Sequence, residues 1–126
     1  MESKLRILLV EDDFINALSL KFQIENHHEF FHAGSRNEAY DLLYKQRIDV
    51  ALLDMNIDGV SNGGEEILGF IRSNPSLQSI QVFAVTGYGS EEDTSLFKNK
   101  GFDDYFPKPL VIEQLMEKLS RIAGKL

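Results

Sequence analysis

Six polar side chains follow directly on short apolar runs, and their types describe one chemistry. Glu11, Asp12 and Asp13 follow LRILLV (5–10), Asp54 follows DVALL (49–53), Thr86 follows QVFAV (81–85), and Lys108, between Pro107 and Pro109, follows DDYF (103–106). Carboxylates gathered at one place raise one another's pKa, and a cation relieves the crowding. Oxygen ligands without His or Cys suit Mg²⁺, which takes a few carboxylates and keeps several waters. A lysine ammonium is a compact charge suited to a phosphoryl oxygen. A threonine hydroxyl adds a donor, and Gly87 removes a side chain where a group must approach closely. Metal, carboxylate, hydroxyl and ammonium together describe phosphoryl transfer to an oxygen nucleophile.

These residues converge only if the apolar runs are neighbouring strands. The fifth run, EFFHA (29–33), is the least apolar and suits a sheet edge, and no acid or base follows it directly. Continuous apolar runs of this length suit strands buried on both faces. Helical patterns lie between them. Phe14, Leu18 and Phe22, flanked by Ile15 and Ala17, recur at helical spacing. Ala39, Leu42 and Leu43 follow Ser35, with Glu38 completing a capping box. Ile67, Leu68 and Ile71 follow Gly63 and Gly64. A helix after Ser90 carries Glu91, Glu92 and Asp93 first, Lys98 and Lys100 last, and Gly101 beyond its end. Ile112, Leu115, Met116, Leu119 and Ile122 form one face of a last helix that ends at Gly124. Strand and helix alternate five times, which predicts an α/β fold with a parallel sheet and helices on both faces. In such sheets the ligand site lies beyond the carboxyl ends of the strands, where the six residues stand.

Composition narrows the alternatives. A chain of 126 residues fits one domain, 1–126. Nine Phe and 43% hydrophobic residues argue against intrinsic disorder. Twenty acids against 13 bases give a charge of −7, which argues against direct nucleic-acid binding. The absence of Cys excludes disulfides and thiolate chemistry. No apolar run could insert in a membrane and no signal peptide is visible, so a cytoplasmic location is the default expectation.

Four segments carry a resemblance across essentially the whole chain: LLVEDD (8–13), LLDMN (52–56), AVTG (84–87) and DYFPKP (104–109). Each alone is weak, but all four stand in order at strand ends. The sequence resembles a response-regulator receiver domain of two-component or phosphorelay signalling, of the stand-alone, chemotaxis-regulator-like type. That resemblance implies a flavodoxin-like, doubly wound sheet of order 2-1-3-4-5. It also implies roles. Asp54 is the phosphoacceptor. Asp12 ligates Mg²⁺ directly, Glu11 acts through water, and Asp54 and the Asn56 carbonyl complete the set. Thr86 hydrogen-bonds the phosphoryl group and Lys108 pairs with it. Thr86 and Tyr105 form the switch, and the Lys108–Pro109 peptide is cis. A histidine kinase or histidine phosphotransfer protein is the donor, and a downstream protein reads the face made by the helix after Ser90, the last strand and the last helix. Homodimerisation on phosphorylation is left open. The family catalyses part of its own phosphorylation and dephosphorylation without being a conventional enzyme. The 126 residues leave room for the receiver alone, so output is expected through another protein or through a part of a longer chain.

The chain departs from the family pattern after Asp54. Ile57 and Asp58 replace the usual Met-Pro, and Asn62 replaces a Gly, with Gly63 and Gly64 following. A loop one residue longer between the third strand and the helix after it is implied, with Asp58 at the rim of the site. The rival readings are a pseudo-receiver and an aspartyl-phosphate hydrolase of the haloacid-dehalogenase type. The intact acid set and Lys108 oppose the first. The second places its nucleophile on the first strand with another Asp two residues on, where this chain has Asn56. A redox flavodoxin would need a Gly/Ser/Thr phosphate loop after the first strand. Among the remaining polar residues, His27, His28 and His32 are read as solvated or packed, and Asp103 and Asp104 as solvated turn residues.

Overall fold

The computed structural model describes residues 4–57, 59, 62–87 and 97–124. Five strands form one sheet: β1 (Arg6–Val10), β2 (Glu29–Ala33), β3 (Val50–Asp54), β4 (Gln81–Thr86) and β5 (Asp104–Pro107). Every pairing is parallel, and the order is β2-β1-β3-β4-β5. This is the α/β order of flavodoxin-like folds. β3 is central and buried at every position, which is why its sequence is continuously apolar up to Asp54. β2, with its polar Glu29 and His32, is the edge.

Helices cover both faces. α1 (Phe14–Ile24) and the C-terminal helix α4 (Ile112–Ala123) bury Ala17, Ile24, Leu115 and Leu119 against Ile7, Leu9, Val50 and Leu52. α2 (Arg36–Lys45) and α3 (Gly63–Ser73) bury Ala39, Leu43, Ile67 and Ile71 against Leu8, Val10, Ala51 and Leu53. The alternation along β1 and β3 therefore divides the core into two layers, one on each face.

Local signals explain the helix ends. Ser35 Oγ accepts from Glu38 N at 3.2 Å, and Glu38 Oε2 reaches back to Gly34 N at 3.0 Å, so the expected box caps α2 one residue wider. The helix expected after Ser90 lies largely outside the described residues, but 97–100 is helical. Its end is closed by Gly101 N to Lys98 O and Phe102 N to Phe97 O, with Gly101 at φ 109°. That is a Schellman stop, which needs glycine.

The helical spacing of Phe14, Leu18 and Phe22 does form α1, but it does not mark the side that is buried. Phe14, Ile15 and Phe22 are 66%, 71% and 64% exposed, while Ala17, Leu20 and Ile24 meet the sheet. Both sets have helical spacing, so α1 is apolar on two sides and its periodicity could not select the buried one. One expectation, about Asp103, is corrected. Its Oδ2 accepts from Arg72 Nη2 and from Val82 N, both at 2.8 Å, so it ties α3 to the start of β4 rather than standing in solvent. Asp104 lies in β5 and pairs with Lys118 at 3.3 Å.

Candidate functional site

The register sets the site. Val10 lies opposite Leu53, so the residues that follow, Glu11 and Asp54, emerge side by side at the carboxyl end of the sheet. Adjacent strands are about 4.8 Å apart, and two carboxylates brought this close repel. Both are buried: Glu11 is 5% exposed and Asp54 3%. Asp12 stands in the exposed turn beside them. Glu11, Asp12 and Asp54 each offer a carboxylate oxygen, all within 4.8 Å of one another.

The turn that carries the acids is short and tied down. Asp13 caps α1, its Oδ1 accepting from Ile15 N at 2.9 Å and Asn16 N at 3.1 Å. Asp13 is therefore occupied by the helix and stands outside the acid trio. Glu11 Oε1 accepts from Asp13 N at 3.1 Å. Asp54 Oδ1 accepts from Asn56 N at 3.1 Å, which holds the residue expected to offer its carbonyl next to the acceptor.

Lys108 reaches the trio across β4. Its amide donates to Thr86 O at 2.7 Å, and its Nζ lies 2.9 Å from Asp54 Oδ2 and 3.8 Å from Glu11 Oε2. The Lys108–Pro109 peptide is cis. Thr86 ends β4 beside Pro107 and is buried. Tyr105 is half-buried in β5 and stacks on Phe97, with ring centroids 5.5 Å apart. It packs against the core layer that α2 and α3 cover.

One cation does not balance three carboxylates. Burial, and then the Asp54 carboxylate beside it, push Glu11 from its ordinary 4.5 to about 7, against the Asp13 amide and Lys108. For Lys108, burial favours loss of the proton, but Asp54, Glu11 and Asp12 outweigh it and raise its pKa. Excess negative charge on oxygen donors is the environment that binds a hard divalent cation, so the residues present fit Mg²⁺.

Two further residues belong to the site and were not singled out as such by sequence. Gly64 lets α3 approach the end of β3: a Cβ there would lie 2.7 Å from Asp54 O and 3.1 Å from Met55 Sδ. The paired glycines were visible, but their contact was not. His32 places Nε2 2.7 Å from Glu11 O, a contact that exists only because β2 pairs with β1. His28 is buried and its Nδ1 accepts from Leu5 N at 3.1 Å, far along the sheet from the trio. At Gly87 a Cβ would meet no atom within 4 Å among the described residues. Asp58 lies outside the described residues.

A doubly wound parallel sheet with an acid trio and a lysine at its carboxyl edge defines a class of signalling domain. The model of the response regulator receiver domain matches residues 7–120, and the chain belongs to that family, part of two-component signalling. The polar-differentiation response regulator DivK of Brucella anthropi is 27% identical over 119 residues, covering 94% of this chain and 95% of that protein. The signal receiver domain of a DNA-binding response regulator (merR) from Colwellia psychrerythraea 34H superposes with a TM-score of 0.85 at 29% identity, over 96% of this chain and 99% of that one. A CheY-like receiver domain protein from Methanospirillum hungatei JF-1 gives 0.80 at 27% identity, over 98% and 96%. Among the described residues no helix is long and apolar enough to cross a membrane.

Proposed function

We propose that Asp54 accepts a phosphoryl group from a phosphohistidine of a histidine kinase or phosphotransfer protein, in a Mg²⁺-dependent reaction. The observation that supports this most directly is the buried Asp54 carboxylate, 2.9 Å from Lys108 Nζ and within one cluster with Glu11 and Asp12. Glu11, Asp12, Asp54 and the Asn56 carbonyl would hold the metal. When bound, Mg²⁺ supplies charge neutralisation for the incoming phosphoryl oxygens.

The chain's own residues do the rest. An Asp54 oxygen attacks phosphorus, the P–N bond breaks, and its electron pair returns to the imidazole nitrogen, which takes up a proton. Lys108 pairs with Asp54 at 2.9 Å, and its ammonium then pairs with a phosphoryl oxygen. Thr86, one residue past the register partner of Asp54, offers its hydroxyl to the same group. A phosphoryl group of about −1.5 to −2 charges replaces a carboxylate of −1, so Lys108 and Thr86 gain a stronger partner. Tyr105 lies in the strand between Thr86's neighbour Pro107 and the Phe97 stack, where it responds to that shift. The modified state is favoured to the extent that these contacts are better in it. A downstream protein then reads the altered face. Because the group stays on the chain until water removes it, the domain promotes its own modification and reversal and is not a turnover enzyme. The cytoplasm is where it would meet its donor.

The test is intact-mass analysis after incubation with Mg²⁺ and a small acyl-phosphate donor, backed by a purified histidine kinase. Wild type should gain one hydroxylamine-labile phosphoryl group and Asp54→Asn none. An adduct that persists in Asp54→Asn, or none in wild type with either donor, would overturn the assignment.

A further inference from the structure

The acid turn is held from an unexpected direction. Glu11 N donates to Ala33 O at 3.0 Å, which is the last rung between β1 and β2. In a parallel ladder the Glu11 carbonyl would accept the next rung from position 35. Gly34 and Ser35 instead turn away into α2, where Ser35 is the cap. A carbonyl at this half-buried position needs a donor. His32, on the same edge strand, places Nε2 at 2.7 Å. A carbonyl oxygen only accepts, so Nε2 carries the proton and donates.

His32 sits opposite Leu9 in the β1–β2 register, on the α1 side of the sheet. Its ring borders a hollow lined by Phe14, Ala17, Leu18 and Phe30. Any residue of similar bulk would fill that hollow, but few would present an N–H to the Glu11 carbonyl. That carbonyl belongs to the peptide joining Glu11 to Asp12. Rotation of this peptide swings Asp12, the exposed middle one of the three residues between β1 and α1.

We propose that His32 is a positioning residue: by donating Nε2–H to the Glu11 carbonyl it holds the Glu11–Asp12 peptide so that both carboxylates face Asp54 and bind the divalent cation. The proposal rests on the reading of the trio as a Mg²⁺ site. It concerns binding geometry, so it separates from the transfer step itself.

The experiment is calorimetric titration of Mg²⁺ into the whole chain at one fixed alkaline pH. Wild type is compared with His32→Phe, which keeps the ring without the donor, and His32→Gln, whose amide nitrogen can replace Nε2. Thermal melting in EDTA is measured alongside. His32→Phe should weaken Mg²⁺ binding about fivefold, the equivalent of one ordinary neutral hydrogen bond, and His32→Gln should recover most of it. The Mg²⁺ concentration for half-maximal phosphorylation should rise by the same factor while the rate at saturating Mg²⁺ is unchanged. If His32→Phe does not fold, His32→Leu takes its place. Equal Mg²⁺ affinity in wild type and the donor-free variant overturns the proposal, even where the melting temperature falls, since the ring would then only fill space. A His32→Gln variant as weak as His32→Phe also overturns it. Wild type without saturable Mg²⁺ binding overturns the metal reading together with this one.

Discussion

Glu11 should make the metal-free domain lose stability as pH rises through neutrality. Its carboxyl is raised from 4.5 to about 7, first by burial and then by Asp54. Between these values the folded chain holds the proton and the unfolded chain has lost it. The folded state therefore binds more protons, and stability falls with increasing pH across that window. The contribution is fully present below the unfolded value and gone above about pH 7. Ionising Glu11 costs the folded state about 3 kcal/mol more than the unfolded chain at most. The Lys108 side of the site is open to water, its side chain 36% exposed, which lowers the expected effect. The measurable effect is then about 2 kcal/mol. The assay is urea unfolding in EDTA from about pH 5 to about pH 8 for wild type and Glu11→Gln, where the difference removes every other titrating group. Gln keeps the acceptor for the Asp13 amide. Wild type should lose about 2 kcal/mol relative to Glu11→Gln over that range, and millimolar Mg²⁺ should restore it at the alkaline end. Parallel stability profiles in EDTA would refute the assignment of a crowded, protonated Glu11.

Five other substitutions test the packing at the site and across the fold. Gly64→Ala places a methyl 2.7 Å from Asp54 O, so it should destabilise by roughly 1–3 kcal/mol and slow phosphoryl uptake; unchanged urea midpoint and uptake would show that α3 can retreat. Asp103→Ala removes one partner of Arg72 and the side-chain acceptor of Val82 N, with an expected loss of roughly 1–3 kcal/mol in denaturant unfolding. Phe14→Ser and Phe22→Ser should stay within about 0.5 kcal/mol of wild type, whereas Ile24→Ala should cost about 2–5 kcal/mol. Thermal melts of the three α1 variants check which side of that helix is buried.

The alternation of apolar runs with helical periods was enough to read the parallel sheet, because a strand buried on both faces has no polar position until it ends. For the same reason the acids, Thr86 and Lys108 could be read as strand-end residues from their place in the chain. The strand order came from resemblance, since spacing along the chain does not say which strands pair. Pairing decides what stands beside what. The β1–β3 register brings Glu11 against Asp54, and the β1–β2 register brings His32 to the Glu11 carbonyl across 21 positions of sequence. The buried side of α1 was equally out of reach, because two apolar stripes share one helix and only the docked sheet chooses between them. Asp103 looked like a turn residue until tertiary contact supplied Arg72 and the Val82 amide. The sequence by itself determined which groups exist and that they cluster at strand ends. Tertiary structure decided their distances, and with them the raised pKa of Glu11 and Lys108, because electrostatic energy and hydrogen bonding depend on separations that the order of residues does not contain.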